Sequence, residues 1–101
     1  MSLPVIIRPL AEGDLREAQV WYEEKQPGLG AAFRASVGAT LQIISASPRI
    51  FPVVHQRAIR RASVKRFPYI LYFVLQPERI LLVACLHARR GPRALLDRIE
   101  S

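Results

Sequence analysis

Two clusters of cations hold most of the side chains in this chain that could act on another molecule. The first is Arg57, Arg60, Arg61, Lys65 and Arg66; with Arg49 it places six basic residues between positions 48 and 66, a stretch without an acid. A guanidinium offers a planar fork of donors matched to phosphate or carboxylate, so the chemistry expected here is anion binding. The second cluster is His87-Ala88-Arg89-Arg90-Gly91-Pro92-Arg93. Histidine is the side chain suited to proton transfer near neutral pH, and arginines beside it would stabilise phosphate charge. Each cluster also has a purely structural reading. Charges along an edge strand deter aggregation, and a histidine closing a strand can simply pack. Tyr69 and His55 are weaker helpers, an interface aromatic and a loop residue.

Other signatures are missing. Gly28-Leu29-Gly30 lacks the further glycine and the preceding strand of a phosphate-binding loop. The acids concentrate on the first helix, so no carboxylate pair is expected on a site-like strand or loop. One cysteine and two distant histidines make no zinc site. Cys85, midway along an apolar run, reads as a small buried hydrophobe and not as a nucleophile. No metal or cofactor is expected. If the chain cuts RNA it does so without metal, with Arg61 and Arg89 as cations and His87 as acid or base. A second proton-transfer group has no candidate, because arginine stays protonated at any ordinary pH.

The charge balance reinforces the anion reading. Fifteen basic residues face eight acidic ones, for a net charge of +7, and thirteen of the fifteen are arginine. Residues 1–24 carry −3 and residues 25–101 carry +10. The expected partners are nucleic acid or an acidic protein segment. A length of 101 residues fits one domain spanning 1–101. Apolar runs such as 80–86 fall short of a membrane span, and the first fifteen residues do not read as a signal peptide. A cytoplasmic protein with no membrane partner is expected.

The elements that must position these side chains follow from periodicity. Residues 4–8 read as an edge strand closed by Pro9. Leu15, Ala18, Trp21 and Tyr22 recur at helical spacing, predicting a helix over 11–25 that ends at Gln26-Pro27-Gly28. Phe33, Val37, Leu41 and Ile44 predict a second helix over 30–46, stopped by Pro48. Residues 48–58 read as a loop. Three strands follow: 59–66, with Arg61 and Lys65 on one face and Arg60 and Arg66 on the other; 68–76, central and buried on both sides; and 80–89, with Val83, Cys85, His87 and Arg89 sharing a face. The tail from Pro92 to Ile99 has room for one or two helical turns. Strands joined by tight turns are antiparallel. The expected fold is α+β: an N-terminal strand and an antiparallel helical hairpin packed on a curled antiparallel sheet, in the order β-α-α-β-β-β.

In sequence the chain resembles the RelE/ParE toxin superfamily. The residues that carry the resemblance are Ala11-Glu12-Gly13-Asp14-Leu15-Arg16-Glu17-Ala18, Trp21-Tyr22, Pro27-Gly28-Leu29-Gly30 with Phe33, and Ser47-Pro48-Arg49. They continue with Arg60-Arg61-Ala62, Phe67-Pro68-Tyr69-Ile70-Leu71-Tyr72-Phe73 and Leu86-His87-Ala88-Arg89-Arg90. The likeness runs from about residue 4 to residue 93, and it rests on the order and spacing of motifs that are individually weak. It implies the toxin of a type II toxin–antitoxin module, of the plasmid-stabilisation kind, neutralised by an antitoxin encoded beside it. RelE-like members cut mRNA in the ribosome; ParE-like members poison DNA gyrase. By this resemblance Arg89 matches a catalytic arginine position, and Arg60 or Arg61 falls near another basic one. Tyr69, however, stands where RelE-like nucleases place an arginine, and no tyrosine follows Arg90. The stretches around Arg60-Arg61 and His87 look closer to ParE, so gyrase inhibition is the leading expectation. A ribosome-dependent endoribonuclease, or a degenerate non-toxic module that binds only antitoxin or DNA, are the alternatives. Arg60, Arg61, Arg66, Tyr69, His87, Arg89 and Arg90 are the residues expected to touch target or antitoxin. The antitoxin segment is expected to be acidic and partly disordered, and to bind less well after Arg60, Arg61 and Arg66 are replaced by glutamate. The oligomeric state stays open between a homodimer and a heterotetramer with antitoxin.

Overall fold

A computed structural model describes residues 2–56 and 58–100 of the chain. The element order is β1 (Val5–Ile7), α1 (Pro9–Lys25), α2 (Leu29–Ala46), a 3-10 turn (Pro48–Ile50), β2 (Val53–His55), β3 (Ile59–Ser63), β4 (Tyr69–Leu75), β5 (Ile80–His87), a second 3-10 turn (Ala88–Arg90) and α3 (Gly91–Glu100). The five strands form one sheet in the order β1-β5-β4-β3-β2. β2, β3, β4 and β5 pair antiparallel with their neighbours, as tight connections require, while β1 lies parallel to β5.

The two long helices form the expected hairpin. α1 begins at Pro9, two residues earlier than its apolar period, because proline is tolerated in a first turn whose N–H groups have no helical partner. Its buried stripe is Ala11, Leu15, Ala18 and Tyr22; Trp21, expected on that face, is 51% exposed. At the hairpin turn Gly28 has φ of 91°, and the Glu23 carboxylate accepts the backbone N–H groups of Gly28 and Gly30, so a side chain of α1 caps the start of α2. Gly30 faces α1 so closely that a Cβ there would stand 2.7 Å from the Gln19 carbonyl oxygen. The α2 stripe is Gly30, Phe33, Val37, Thr40 and Ile44, with Leu41 half-buried. Thr40 keeps its hydroxyl satisfied by donating to the Ser36 carbonyl at 3.0 Å.

The hairpin packs on one face of the sheet over Ala62, Leu71, Phe73, Ile80, Leu82 and Cys85. α3 packs on the opposite face, where Ala94 and Leu95 meet Ala84 and Leu86, with Tyr72, Val83 and Ile99 around them. The tail is therefore a ten-residue helix with a place in the core, longer than the turn or two its sequence predicts.

Three other expectations need correction. The loop 48–58 contains a strand, β2, whose three residues show no period and pair only with β3. β3 ends at Ser63, so Lys65 and Arg66 lie in the β3–β4 turn and do not share strand faces with Arg61 and Arg60. β5 ends at His87, and Arg89 lies in the following 3-10 turn, not on the strand. A bulge also breaks the alternation of β5. Tyr72 pairs with Ala84 but Phe73 with Leu82, which leaves Val83 as an extra residue. Cys85 and His87 thus share the hairpin face with Leu82 and Ile80, while Val83 turns to the α3 side.

Candidate functional site

A groove of about 640 Å³ opens between the outer side of α1 and the ends of β4 and β5. Glu17, Val20, Trp21 and Glu24 form its helical wall; Pro68, Tyr69, His87 and Arg90 form the wall opposite. Tyr69 and His87 are register partners on neighbouring strands, and their rings meet edge to face at 5.2 Å. Behind them Tyr69 packs against Phe33 at 5.3 Å and Tyr22 at 6.1 Å, so the hairpin core fixes the rim of the groove. Burial raises the pKa of the Tyr69 phenol, assisted by Tyr22, Cys85 and Glu17, against a smaller opposing effect of Arg90. The phenol therefore stays neutral and serves as a hydrogen-bonding and packing group, not as a base.

His87 has a structural task. Its Nδ1 accepts the backbone N–H of Arg89 at 3.0 Å and caps the 3-10 turn that ends β5. Nδ1 is committed, and only Nε2 is available for other contacts. Arg89 and Arg90 project from that capped turn and are exposed. Cys85 lines the deep end of the groove, but burial first, and then Asp14, push its thiol pKa up to about 12, against a smaller opposing effect of Arg34. It is not a nucleophile under ordinary conditions.

The remaining candidates lie elsewhere. Arg60 is opposite Phe73 on the hairpin side of β3 and donates to the Phe51 carbonyl at 2.8 Å, so it ties the 48–53 segment to the sheet. Arg61 is opposite Tyr72 on the other face. Arg66 sits in the β3–β4 turn with φ of 75°. His55 ends the edge strand β2. Arg57 is outside the described residues. Tyr69, His87 and Arg90 thus come together and Arg89 lies next to them, whereas Arg61 is separated from them by the thickness of the sheet. Among the described residues no group of three or more His, Cys, Asp or Glu could hold a metal ion. No described helix is long and apolar enough to cross a membrane.

One pair that carries the site was not evident in the sequence. β1 covers β5 only as far as Leu82, so the edge of β5 beyond it would be left bare. Asp14 of α1 accepts the Cys85 N–H at 3.0 Å, and Arg98 of α3 donates to the Val83 carbonyl at 3.3 Å. The two side chains also form a bidentate ion pair, one arm at 2.7 Å. The Asp14 hydrogen bond raises the Arg98 pKa, against a smaller desolvation effect. The pair closes the sheet edge and clamps both helices to it. An acid at position 14 and a basic residue at position 98 are too far apart in the chain for spacing to link them.

Comparison with known proteins agrees with this architecture. The family model described as the ParE toxin of the type II toxin–antitoxin system, parDE, matches residues 5–92. The chain belongs to the ParE toxin family. No curated protein sequence matches it. A solved structure of the chromosomal ParDE TA system from P. aeruginosa superposes with a TM-score of 0.76 at 11% sequence identity, covering 85% of this chain and 96% of that one. At that identity the likeness is one of fold. The family match ends at Pro92, so all but the first two residues of α3 lie beyond it.

Proposed function

We propose that this ParE-family toxin arrests growth by inhibiting DNA gyrase, and that a cognate antitoxin neutralises it by occupying the groove beside α1. The observation that carries the choice of gyrase over RNA cleavage is the dispersal of the candidate acid–base groups. Cleavage at a 2′-hydroxyl needs a base, an acid and cations around one phosphate. Here Arg61 is on the face opposite His87, Nδ1 of His87 is held by the Arg89 backbone, and Tyr69 is a neutral phenol. Jamming an enzyme–DNA complex needs only a shaped, charged surface.

For the antitoxin, the groove offers exposed Val20 and Trp21 on a wall that also carries Glu17 and Glu24, with the cation Arg90 opposite, so an amphipathic segment would lay its apolar face on the helix and direct its acids to Arg90. Two assays on the purified full chain test the activity: gyrase supercoiling, and mRNA cleavage on translating ribosomes. Inhibited supercoiling without new mRNA ends is the expected result. Unimpaired supercoiling together with ribosome-dependent cuts abolished by His87→Ala would make the ribonuclease reading correct.

A further inference from the structure

Lys65 and Arg66 are separated from Arg89 and Arg90 by more than twenty residues of chain, yet the fold places the two pairs side by side. The β3–β4 turn and the turn after β5 adjoin: the Ala88 N–H donates to the Pro68 carbonyl at 2.8 Å, and Tyr69 pairs with His87. All four cations are exposed and none has an ion-pair partner among the described residues, whereas Arg93 nearby is shared with Asp97 at 3.7 Å. Arg66 is held at φ of 75°, a left-handed backbone conformation that a residue with a Cβ rarely adopts. We propose that this end of the sheet grips the phosphate backbone of duplex DNA directly, without reading its sequence.

Three features favour this partner over others. A protein interface has an apolar centre; Val20 and Trp21 face Arg90 across the groove, but the other exposed apolar residues, such as Leu10, Ile50, Val53 and Val54, are not among those that line it. Interfaces with nucleic acid are polar and positive, as this end is. Single-stranded nucleic acid is held by stacking on exposed aromatic rings; Phe67 and Tyr69 are turned into the core cluster with Tyr22 and Phe33, and Trp21, across the groove from Arg90, has Lys25 over its ring at 4.7 Å. What remains is a set of exposed cations on two adjoining turns, the chemistry that phosphates need. Glu17 and Glu24 border the patch across the groove from Arg90 and limit it on that side.

The test is fluorescence anisotropy of a short labelled duplex of mixed sequence with the antitoxin-free full chain. No gyrase is present, so the result is independent of whether gyrase is the toxin's target. Four phosphate contacts predict that log K falls against log salt with a slope of about −3 to −4, a loss of ~10²-fold between ~50 and ~200 mM. Arg89→Gln/Arg90→Gln should remove about two units of that slope, and adding Lys65→Gln and Arg66→Asn should nearly flatten it. Arg16→Gln/Arg49→Gln removes the same charge as the first pair from other exposed positions and should leave the slope within about one unit of the original. Circular dichroism confirms that each variant folds. An equal loss in the Arg16/Arg49 control, an unchanged slope in the four-site variant, or tighter binding of single-stranded RNA or polyglutamate than of duplex at equal salt would each overturn the proposal.

Discussion

Replacing Asp14 with alanine should destabilise this toxin more than any other single change at a polar residue. Its carboxylate has three duties: it accepts the Cys85 N–H and receives both arms of the Arg98 guanidinium. The side chains of Asp14 and Arg98 are only 12% and 18% exposed. Removing one member of a fully buried pair costs ~3–5 kcal/mol, and partial exposure places this pair near the lower end. Orphaning the Cys85 amide contributes within the same range, so a total of about 3 kcal/mol is expected. For a domain of this size that lowers Tm by about 12–20 °C, read by thermal unfolding in circular dichroism. Asp14→Asn keeps an acceptor for the amide but loses the charge, and should fall between wild type and alanine. The double variant Asp14→Ala/Arg98→Ala should lose less than the sum of the single variants by about 1–2 kcal/mol. A loss below ~0.5 kcal/mol for Asp14→Ala, or additivity of the two singles within ~0.3 kcal/mol, would refute the clamp.

Two further predictions concern stability. Gly30→Ala forces a Cβ against the Gln19 carbonyl and the Glu23 carboxylate and should destabilise by more than ~1 kcal/mol; Gly13→Ala has open space around it on α1 and should stabilise by ~0.8–1 kcal/mol, both read from urea midpoints. Cys85 should resist thiol reagents in the folded state, and it makes stability fall at high pH. Its thiol titrates near 9.0 when unfolded but at about 12 when folded, so above pH 9 the unfolded state loses the proton first. Stability should therefore decline from pH 9 towards 12, and Cys85→Ala should flatten that decline in denaturant titrations at stepped pH. An unchanged slope would exclude the buried thiol as its source.

The long elements were readable because their signals are local. Ala11 to Tyr22 and Phe33 to Ile44 repeat at helical spacing, and the apolar run of β4 between Pro68 and Pro77 has the composition of a central strand. Trp21 was misjudged because a large aromatic next to Tyr22 looks like part of the stripe. One helical position rotates it out, where its ring meets Tyr22 at 5.1 Å and Lys25 covers it at 4.7 Å. β2 leaves no signal in the sequence because two exposed valines and a half-buried histidine on a sheet edge need no apolar period. α3 is longer than its sequence predicts because its partner surface, Ala84 and Leu86, belongs to another element that no pattern within the tail records.

The row expected along β5 breaks for one reason, which also decides what the candidate site is. Strict alternation along β5 puts Val83, Cys85, His87 and Arg89 in one row, which makes a line of chemistry pointing one way. Val83 is a bulge, so the row breaks there, and the strand stops at His87, so Arg89 leaves it at the other end. A bulge depends on how β4 and β5 twist against each other, which no pattern within one strand records. With the row broken, His87 becomes the cap of a turn that displays Arg89 and Arg90, and Arg61 loses any route to them except through the sheet. A site that looked like a row of acid–base groups is, in three dimensions, a rigid rim beside a groove. That difference favours a toxin that acts by binding over one that acts by cutting.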